Sequence, residues 1–289
     1  MNEQTEQNWI IVTLGIGTEE SEAAAEWVRG ALQVEPVELS RPNATDGWLE
    51  LYFTEPVRAQ LAQRALLRQF PGHACTVRNC SARDWQAFWK NHFHTQLVGE
   101  RLQIVPVWEE VPDTGRSTIL LEPGLSFGTG DHFTTRFCLE QIDEAFRQEV
   151  PQTMLDAGTG SGILSIAAEK LGCTHIDAFD FDPLCLQYTR ENLLRNGTQH
   201  IHLFEHDVTL GIPGGPYDLV CANIFSRLLI QCAEKLARVT RRRLIITGIL
   251  QTESDEVSSA FLAQGAREVI WDGNGEWCGM VYDFSIPPF

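Results

Sequence analysis

Apolar residues in the first eighty positions recur with two periods, one typical of strands and one typical of helices. Four short apolar runs have the length of β-strands: residues 9–14, 37–40, 47–53 and 75–77. Two segments between them repeat apolar residues at helical spacing: residues 19–32 and 55–70. The order β-α-β-β-α-β predicts a small ferredoxin-like α+β domain at residues 1–78. We find no plausible catalytic cluster within it.

Strands alternate with helices from Arg136 onward. The predicted strands are residues 153–156, 175–179, 200–204, 218–222, 244–249, 268–271 and 279–284. The predicted helices are residues 136–146, 163–171, 183–196, 227–239 and 255–264. This alternation predicts a mainly parallel, doubly wound, Rossmann-like α/β domain at residues 115–289. The last two strands lack a helix between them, which indicates an antiparallel hairpin at the sheet edge.

An aromatic connector is expected between the two domains, at residues 79–114. Trp85, Phe88 and Trp89 share one helical face, which favours a linker helix packed on a neighbouring domain over a ligand-stacking role. His92 and His94 have no metal-ligand partners at suitable spacing, so we expect them to be structural. Two strand-like runs follow: residues 102–107 and 118–121.

Residues 156–162, DAGTGSG, join an apolar strand to an apolar helix. Glycines at these positions permit close backbone approach to a ligand, and the helix start offers unpaired N–H groups. Dinucleotide sites use G-x-G-x-x-G around a pyrophosphate, so the spacing disfavours a dehydrogenase. G-x-G-x-G after Asp156 fits a cofactor with an amino-acid end and no phosphate, which is S-adenosylmethionine. By itself, the loop could also be an ordinary strand-to-helix turn.

Asp180 ends the next predicted strand, about twenty residues beyond the loop, where a carboxylate can accept hydrogen bonds from both hydroxyls of a ribose. This pairing favours the nucleoside-cofactor interpretation. A second glycine-rich stretch, residues 121–136, precedes the first helix of the domain. Thr134 or Thr135 can cap that helix and also reach a ligand carboxylate. A capped helix start alone would explain these threonines but not the preceding Phe-Gly-Thr-Gly.

The net charge of −17 is concentrated in the second domain. Residues 1–95 hold 8 Lys+Arg against 12 Asp+Glu, and residues 96–289 hold 14 against 27. Such a field repels nucleic acid and would attract a basic partner. The basic run Arg241-Arg242-Arg243 is interpreted as a solvated helix-to-strand corner, not an RNA contact.

The eight cysteines lie in apolar stretches without a C-x-x-C pair. We therefore expect reduced, mostly buried thiols and no metal. No run of eighteen apolar residues occurs, and the first residues lack the features of a signal peptide. The sequence thus predicts no membrane association and a cytoplasmic location.

Several unusual stretches resemble the PrmA family, the methyltransferases that modify ribosomal protein L11. The matching stretches are Asp84-Trp85, Trp89-Lys90, Val105-Pro106, Trp108 to Glu110, Pro123 to Gly124, Phe127 to Gly130 with His132 and Thr134-Thr135, Asp156 to Ile163, Asp180 to Pro183, Ala222-Asn223 and Glu276 to Cys278. The likeness extends from the N-terminal unit to the last strand. The F-G-T-G-x-H-x-T-T run separates this family from other methyltransferases.

The resemblance implies transfer of methyl groups from S-adenosylmethionine to lysine amines, and as a further candidate the N-terminal amine, of ribosomal protein L11, leaving S-adenosylhomocysteine. It implies cofactor contacts from Phe127, Gly128, Thr129, Thr134, Asp156, Gly158, Thr159, Gly160, Asp180, Phe181, Asp207 and Asn223. Asp207 would meet the adenine amino group, with a solvated loop carboxylate as the alternative. The candidate catalytic residues are Asn223, whose carbonyl can accept a hydrogen bond from the substrate amine, and His132.

A sulfonium methyl is already activated, so orientation supplies most of the rate and we expect no essential general base. The N-terminal domain is expected to capture the basic substrate, and the protein is expected to be a monomer. Family members commonly differ at Asp131, Phe133 and residues 224–228, near the expected amine entrance. Another protein lysine or a small amine stays an alternative substrate, and a non-catalytic cofactor-binding module stays an alternative function.

Overall fold

The computed structural model describes residues 9–32, 34, 36–40, 46–80, 93–122 and 132–284. The chain forms two compact units, Met1–His92 and Phe93–Phe289. The predicted connector at residues 79–114 is therefore divided, and its part from Phe93 onward belongs to the second unit. Trp85, Phe88, Trp89 and His92 lie outside the described residues, so their roles stay predictions.

The first unit has the element order that the sequence predicts. Its elements are β1 (Trp9–Gly17), α1 (Thr18–Leu32), β2 (Val37–Ser40), β3 (Asp46–Phe53), α2 (Pro56–Gln69) and β4 (Cys75–Cys80). The sheet order is β2-β3-β1-β4, and each neighbouring pair is antiparallel. Alternate strand residues face one side, so Val12, Leu14, Leu49 and Leu51 form a core with Leu66 of α2. This is the ferredoxin-like arrangement.

A three-stranded sheet opens the second unit. It consists of β5 (Gln96–Val98), β6 (Leu102–Pro106) and β7 (Ser117–Leu121), with β5 antiparallel and β7 parallel to β6. Asp143 of helix α3 (Phe133–Gln148) accepts hydrogen bonds from the backbone N–H of Glu100 at 2.6 Å and from Nε of Arg101 at 2.8 Å. These bonds tie the β5–β6 turn to the helix. Strand β5 has no counterpart among the strands that the sequence pattern predicts.

The large sheet of the second unit has seven strands among the described residues. They are β8 (Thr153–Ala157), β9 (His175–Asp180), β10 (Ile201–Glu205), β11 (Tyr217–Asn223), β12 (Thr240–Leu250), β13 (Arg267–Gly273) and β14 (Trp277–Asp283). The accompanying helices are α4 (Ile163–Lys170), α5 (Pro183–Asn196), α6 (Ser226–Val239) and α7 (Ser254–Leu262). Short 3-10 turns occur at Val208–Leu210 and Gln251–Glu253.

The strand order of this sheet is β10-β9-β8-β11-β12-β14-β13. Strands β8 to β12 pair in parallel, and β14 is antiparallel to both of its neighbours. The predicted terminal hairpin, β13 and β14, is present, and β14 lies between β12 and β13, so that β13 forms the edge of the sheet. The chain places β9 and β10 on one side of β8 and β11 on the other. Such a reversal opens a crevice at the carboxyl ends of the strands, where open α/β sheets bind ligands.

Helices cover the sheet because the inner strands are apolar on both faces. Val220 and Ala222 of β11 share one core with Leu229 and Leu236 of α6. Cys221 between them points to the opposite face and is fully buried. No helix among the described residues is long and apolar enough to cross a bilayer.

The run Arg241-Arg242-Arg243 lies within β12, so its predicted position at a helix-to-strand corner is wrong. Arg241 pairs with Asp218 at 2.9 Å, Arg242 pairs with Glu149, and Nε of Arg243 lies 2.8 Å from Asp283. The strand begins at Thr240, four residues before its apolar run, and each of the three arginines in that interval has a carboxylate partner. The run is therefore a set of structural ion pairs.

Candidate functional site

The glycine-rich loop after β8 has the left-handed backbone that the sequence pattern predicts. Gly158, Gly160 and Gly162 have φ angles of +75°, +56° and +81°, which side chains other than glycine rarely adopt. The backbone N–H groups of Gly158 and Thr159 both donate to the carbonyl of Phe179, at 3.0 and 2.9 Å. The loop is thus held against the end of the neighbouring strand β9.

Asp156, near the end of strand β8 before the loop, is hydrogen-bonded to the loop and to the helix that follows it. Its Oδ2 accepts hydrogen bonds from Oγ1 of Thr159 at 2.7 Å and from Oγ and the backbone N–H of Ser165 at 2.6 and 3.2 Å. Burial raises the pKa of Asp156, and the hydrogen bonds from Ser165 and Thr159 oppose that shift. Its Oδ1 is buried and has no partner in the described part of the chain.

Asp180 at the end of β9 is joined to the same loop. Its Oδ2 accepts from the backbone N–H of Gly160 and its Oδ1 from the backbone N–H of Asp182, each at 3.0 Å. Burial raises the pKa of Asp180, against the effect of these two hydrogen bonds. An ionised carboxylate offers about four acceptor positions. Asp180 can therefore also accept hydrogen bonds from the two hydroxyls of a ribose.

A polar stripe on α5, which the sequence pattern did not predict, supports the glycine loop. Oγ1 of Thr189 lies 2.7 Å from the carbonyl of Gly160, to which it can donate, and Nδ2 of Asn192 donates to the carbonyl of Ser161 at 2.9 Å. Both side chains are buried. Their spacing, i and i+3, places them on the same helix face as the buried Leu186 and Asn196, and this spacing was the available signal.

Phe181 and Asp207 lie after the neighbouring strands β9 and β10. The Phe181 side chain is 70 % exposed, which is unusual for an aromatic ring beside a buried carboxylate. Asp207 caps the Val208–Leu210 turn by accepting from the backbone N–H of Thr209 at 2.8 Å. This hydrogen bond lowers the pKa of Asp207. The arrangement offers an aromatic face and an ionised carboxylate, the groups that an adenine ring would need.

A chain of two hydrogen bonds at the start of α3 links Asn223 to Thr134 and Thr134 to His132. Nδ2 of Asn223 lies 3.4 Å from Oγ1 of Thr134, which lies 2.8 Å from Nδ1 of His132. His132 caps the helix by accepting from the backbone N–H of Thr134 through Nδ1, and its ring packs edge-on against Trp277 at 5.2 Å. With Nδ1 accepting, the neutral ring carries its proton on Nε2. Helix α3 thus begins at Phe133, three residues before its predicted start.

The remaining predicted cofactor contacts, Phe127, Gly128 and Thr129, lie outside the described residues together with Asp131. Their roles stay predictions. Thr135 is described, and its buried Oγ1 has no partner among the described residues.

No group of His, Cys, Asp or Glu that could hold a metal ion occurs in the described ranges. The cysteines of the second unit are all free thiols: Cys138, Cys173, Cys185, Cys221, Cys232 and Cys278. Burial raises the pKa of Cys173 and Cys278 to about 11 and that of Cys185 to about 12. These thiols stay protonated near neutral pH and are therefore poor nucleophiles and metal ligands.

The model of the family described as ribosomal protein L11 methyltransferase (PrmA) matches residues 6–284. The chain belongs to this family. Among similar proteins, the ribosomal protein L11 methyltransferase of Myxococcus xanthus is 32 % identical over 282 residues, which are 94 % of this chain and 97 % of the relative. The one of Azotobacter vinelandii is 41 % identical over 207 residues, which are 70 % and 69 % of the two chains.

A solved structure of a ribosomal protein L11 methylase from Lactobacillus delbrueckii subsp. bulgaricus matches with a TM-score of 0.60 and 30 % identity. The match covers 66 % of this chain and 98 % of that chain. The predicted resemblance to the PrmA family and the predicted fold class, a Rossmann-like methyltransferase domain preceded by a ferredoxin-like domain, are therefore confirmed.

The residues of this PrmA member fit S-adenosylmethionine. Five buried side-chain oxygen atoms have no hydrogen-bond partner among the described residues: Asp156 Oδ1, Thr135 Oγ1, Asn223 Oδ1, Ser226 Oγ and Gln251 Oε1. Unpaired buried acceptors are costly and call for a donor. A ligand that brings an ammonium group, ribose hydroxyls and an adenine amino group supplies such donors, and the carboxylates of Asp156 and Asp180 can accept hydrogen bonds from groups of this kind.

Proposed function

We propose that this chain is an S-adenosylmethionine-dependent methyltransferase that modifies lysine amines of ribosomal protein L11. The observation that carries the proposal is the joined pair of carboxylates, Asp156 and Asp180, both hydrogen-bonded to the G-x-G-x-G loop in a chain that matches the PrmA family over residues 6–284. The names of the relatives, ribosomal protein L11 methyltransferase, support the substrate.

Specific residues would hold the cofactor. Asp180 would accept hydrogen bonds from the ribose hydroxyls, Phe181 would cover the adenine ring, and Asp207 would accept from its amino group. The glycine loop and Asp156 would hold the methionine end, together with Thr134 and, outside the described residues, Phe127 to Thr129. The bound cofactor supplies an activated sulfonium methyl group.

Asn223 is proposed to orient the substrate amine. Its Nδ2 is directed at Thr134, which leaves Oδ1 as the acceptor for an amine N–H. Phe225, half exposed just after Asn223, is proposed to line the entrance. An apolar entrance lowers the pKa of a lysine amine below its usual value of about 10.4 by desolvation. The amine can then lose its proton without a dedicated base.

His132 is not proposed as that base. Its Nδ1 already accepts from Thr134, which gives the ring a structural task at the start of α3. Orientation of the amine against the sulfonium methyl accounts for most of the expected rate.

The first unit is proposed to capture the protein substrate, since its described residues form a core of their own and include no candidate catalytic cluster. The excess of acidic residues in the second unit supports attraction of a basic protein. We further propose that the enzyme acts in the cytoplasm as a monomer, without a metal and without direct contact to nucleic acid.

The decisive experiment incubates the purified full chain with tritiated S-adenosylmethionine and purified L11, beside Asp180→Ala and a lysate lacking L11. Label on L11 that Asp180→Ala abolishes, with labelled lysines identified by mass spectrometry, is the expected result. Label only on other lysate proteins would replace the substrate while keeping the activity. Cofactor binding without any label would favour a non-catalytic binding module.

The role of Asn223 has its own test. Asn223→Ala should lower kcat by at least about tenfold through lost orientation of the amine, while S-adenosylhomocysteine affinity measured by calorimetry stays close to that of the unmodified chain. A loss confined to cofactor affinity would assign Asn223 to cofactor binding instead.

A further inference from the structure

Ile224 lies between two glycines that belong to opposite sides of the site. A methyl group added to Gly158, in the cofactor loop, would lie 2.5 Å from Cγ2 of Ile224. A methyl group added to Gly248, in β12, would lie 2.6 Å from the backbone carbonyl oxygen of Ile224. Both distances are far below van der Waals contact, so the two glycines leave the space that Ile224 fills. Ile224 directly follows Asn223, the proposed amine-orienting residue.

The Gly248 side of this arrangement is rigid. Gly248 has φ +84° and sits where the pairing of β12 with β14 shifts register between Thr247 and Ile249. Thr247 is buried and donates from Oγ1 to the carbonyl of Cys278 at 2.9 Å, while its own carbonyl accepts from the backbone N–H of Ile224 at 3.2 Å. The backbone of Ile224 is therefore held by Thr247, which lies at the register shift of β12 and is itself hydrogen-bonded to β14.

The Gly158 side is a side-chain contact. Gly158 is the first glycine of the cofactor loop, and its backbone is held to Phe179. Among the described residues, and apart from the chain neighbours of Gly158, Cγ2 of Ile224 is the only atom within 4 Å of the position that a Cβ at Gly158 would take. The partial burial of Ile224 against the core of α6 and the inner strands keeps the side chain in place.

We propose that Ile224 is a positioning residue, which sets the separation between the cofactor loop at Gly158 and the amine-orienting Asn223. This inference rests on the proposed function. Methyl transfer requires an amine and a sulfonium carbon at near-attack distance, and a displacement of about 1 Å can cost up to about a hundredfold in rate. Ile224 acts through the loop and through Asn223, and its hydrocarbon side chain takes no part in proton transfer.

The branched shape of isoleucine supplies a matched pair of variants. Ile224→Val removes only Cδ1 and keeps the Cγ2 branch that meets Gly158. Ile224→Leu has the same number of carbon atoms but no branch at Cβ, so the contact with Gly158 is lost. Volume-conserving apolar exchanges are usually tolerated by cores, and both variants should fold.

The test compares the three full-length proteins by two measurements. Single-turnover methyl transfer to L11 at saturating cofactor should fall at least about tenfold in Ile224→Leu and stay near the original rate in Ile224→Val, with little change in the Kd of S-adenosylhomocysteine for either. Hydrogen exchange with S-adenosylhomocysteine bound should rise at the 158–162 and 247–249 amides in Ile224→Leu and not in Ile224→Val. This second measurement needs no protein substrate.

Equal behaviour of the two variants in hydrogen exchange would overturn the positioning role, as would a loss in Ile224→Leu that lies wholly in cofactor affinity. Absence of transfer to L11 by the unmodified chain would instead overturn the proposed substrate. In that case the exchange data still decide the role of Ile224, so the two failures are distinguishable.

Discussion

The backbone N–H of Gly160 donates a 3.0 Å hydrogen bond to Oδ2 of Asp180, which lies twenty residues further along the chain. This bond joins the two signals from which the cofactor was inferred. It orients the carboxylate and at the same time holds the loop in the left-handed conformation that approaches a ligand. The loop and the carboxylate proposed to bind the ribose therefore form one unit, and weakening either should weaken the other.

Asp180→Asn should weaken binding of S-adenosylhomocysteine about tenfold to a hundredfold, the range expected when hydrogen bonds to a charged group are lost. The amide has one acceptor oxygen, so its NH₂ group must face either Gly160 N–H or Asp182 N–H. Isothermal titration calorimetry measures the effect. Asp255→Asn, an exposed charge removal on α7, is the matched control and should leave Kd unchanged. An unaltered Kd in Asp180→Asn would remove Asp180 from the cofactor site.

Thr189→Val should lower the free energy of unfolding by about 1 kcal/mol and weaken S-adenosylhomocysteine binding, since the carbonyl of Gly160 loses its donor. Thr198→Val removes a comparable bond, from Oγ1 to the carbonyl of Leu193 at 3.1 Å, at the end of α5 remote from the loop. This control should affect stability and leave cofactor Kd unchanged. Urea unfolding and calorimetry separate the two effects, and equal Kd values in both variants would contradict support of the loop by Thr189.

Asp156→Asn should stabilise the ligand-free protein and weaken cofactor binding. Burial raises the pKa of Asp156 in the folded state, so the folded chain binds more protons than the unfolded chain between the unfolded and folded pKa values. The free energy of unfolding therefore falls as pH rises through that window. The advantage of the neutral variant should be full above the folded pKa and should shrink as pH falls towards about 3.9.

Cofactor affinity should have the opposite pH slope. A cationic ligand favours the ionised carboxylate, so the unmodified chain should bind more tightly as pH rises, and Asp156→Asn should lose part of this dependence. Denaturant titrations and calorimetry at several pH values measure both slopes. Destabilisation of the ligand-free variant at neutral pH would show that the hydrogen bonds to Ser165 and Thr159 outweigh the desolvation of the charge.

His132→Asn should keep both folding and turnover, because asparagine is a good N-cap. His132→Ala should lower the free energy of unfolding by about 1 kcal/mol through loss of the cap to Thr134. General bases contribute about a hundredfold or more to the rate. A decrease in kcat of less than about tenfold in both variants therefore supports a structural role for His132. Loss of turnover in His132→Asn with unchanged cofactor affinity and an altered pH profile would make His132 the base.

The element order and the cofactor loop could be predicted from sequence because both depend on local patterns. Apolar periodicity located nearly every strand and helix, and the spacing of Gly158, Gly160 and Asp180 required no knowledge of the sheet. The hairpin at the end of the sheet was predicted, but insertion of β14 between β12 and β13 was not. Strand order depends on which edge is free when the last strands pair, and no local pattern records that.

The amino-acid sequence determined the two domain types, the family and the carboxylates at the carboxyl edge. Only the tertiary structure decided how the edge is supported: by Thr189 and Asn192 beneath the loop and by Ile224 between two glycines. It also decided the carboxylate partners of Arg241 to Arg243 at the start of β12. Each of these contacts joins residues that lie on different elements. They form because parallel strands bring distant chain segments to the same edge, and a linear pattern cannot specify which side chains then meet.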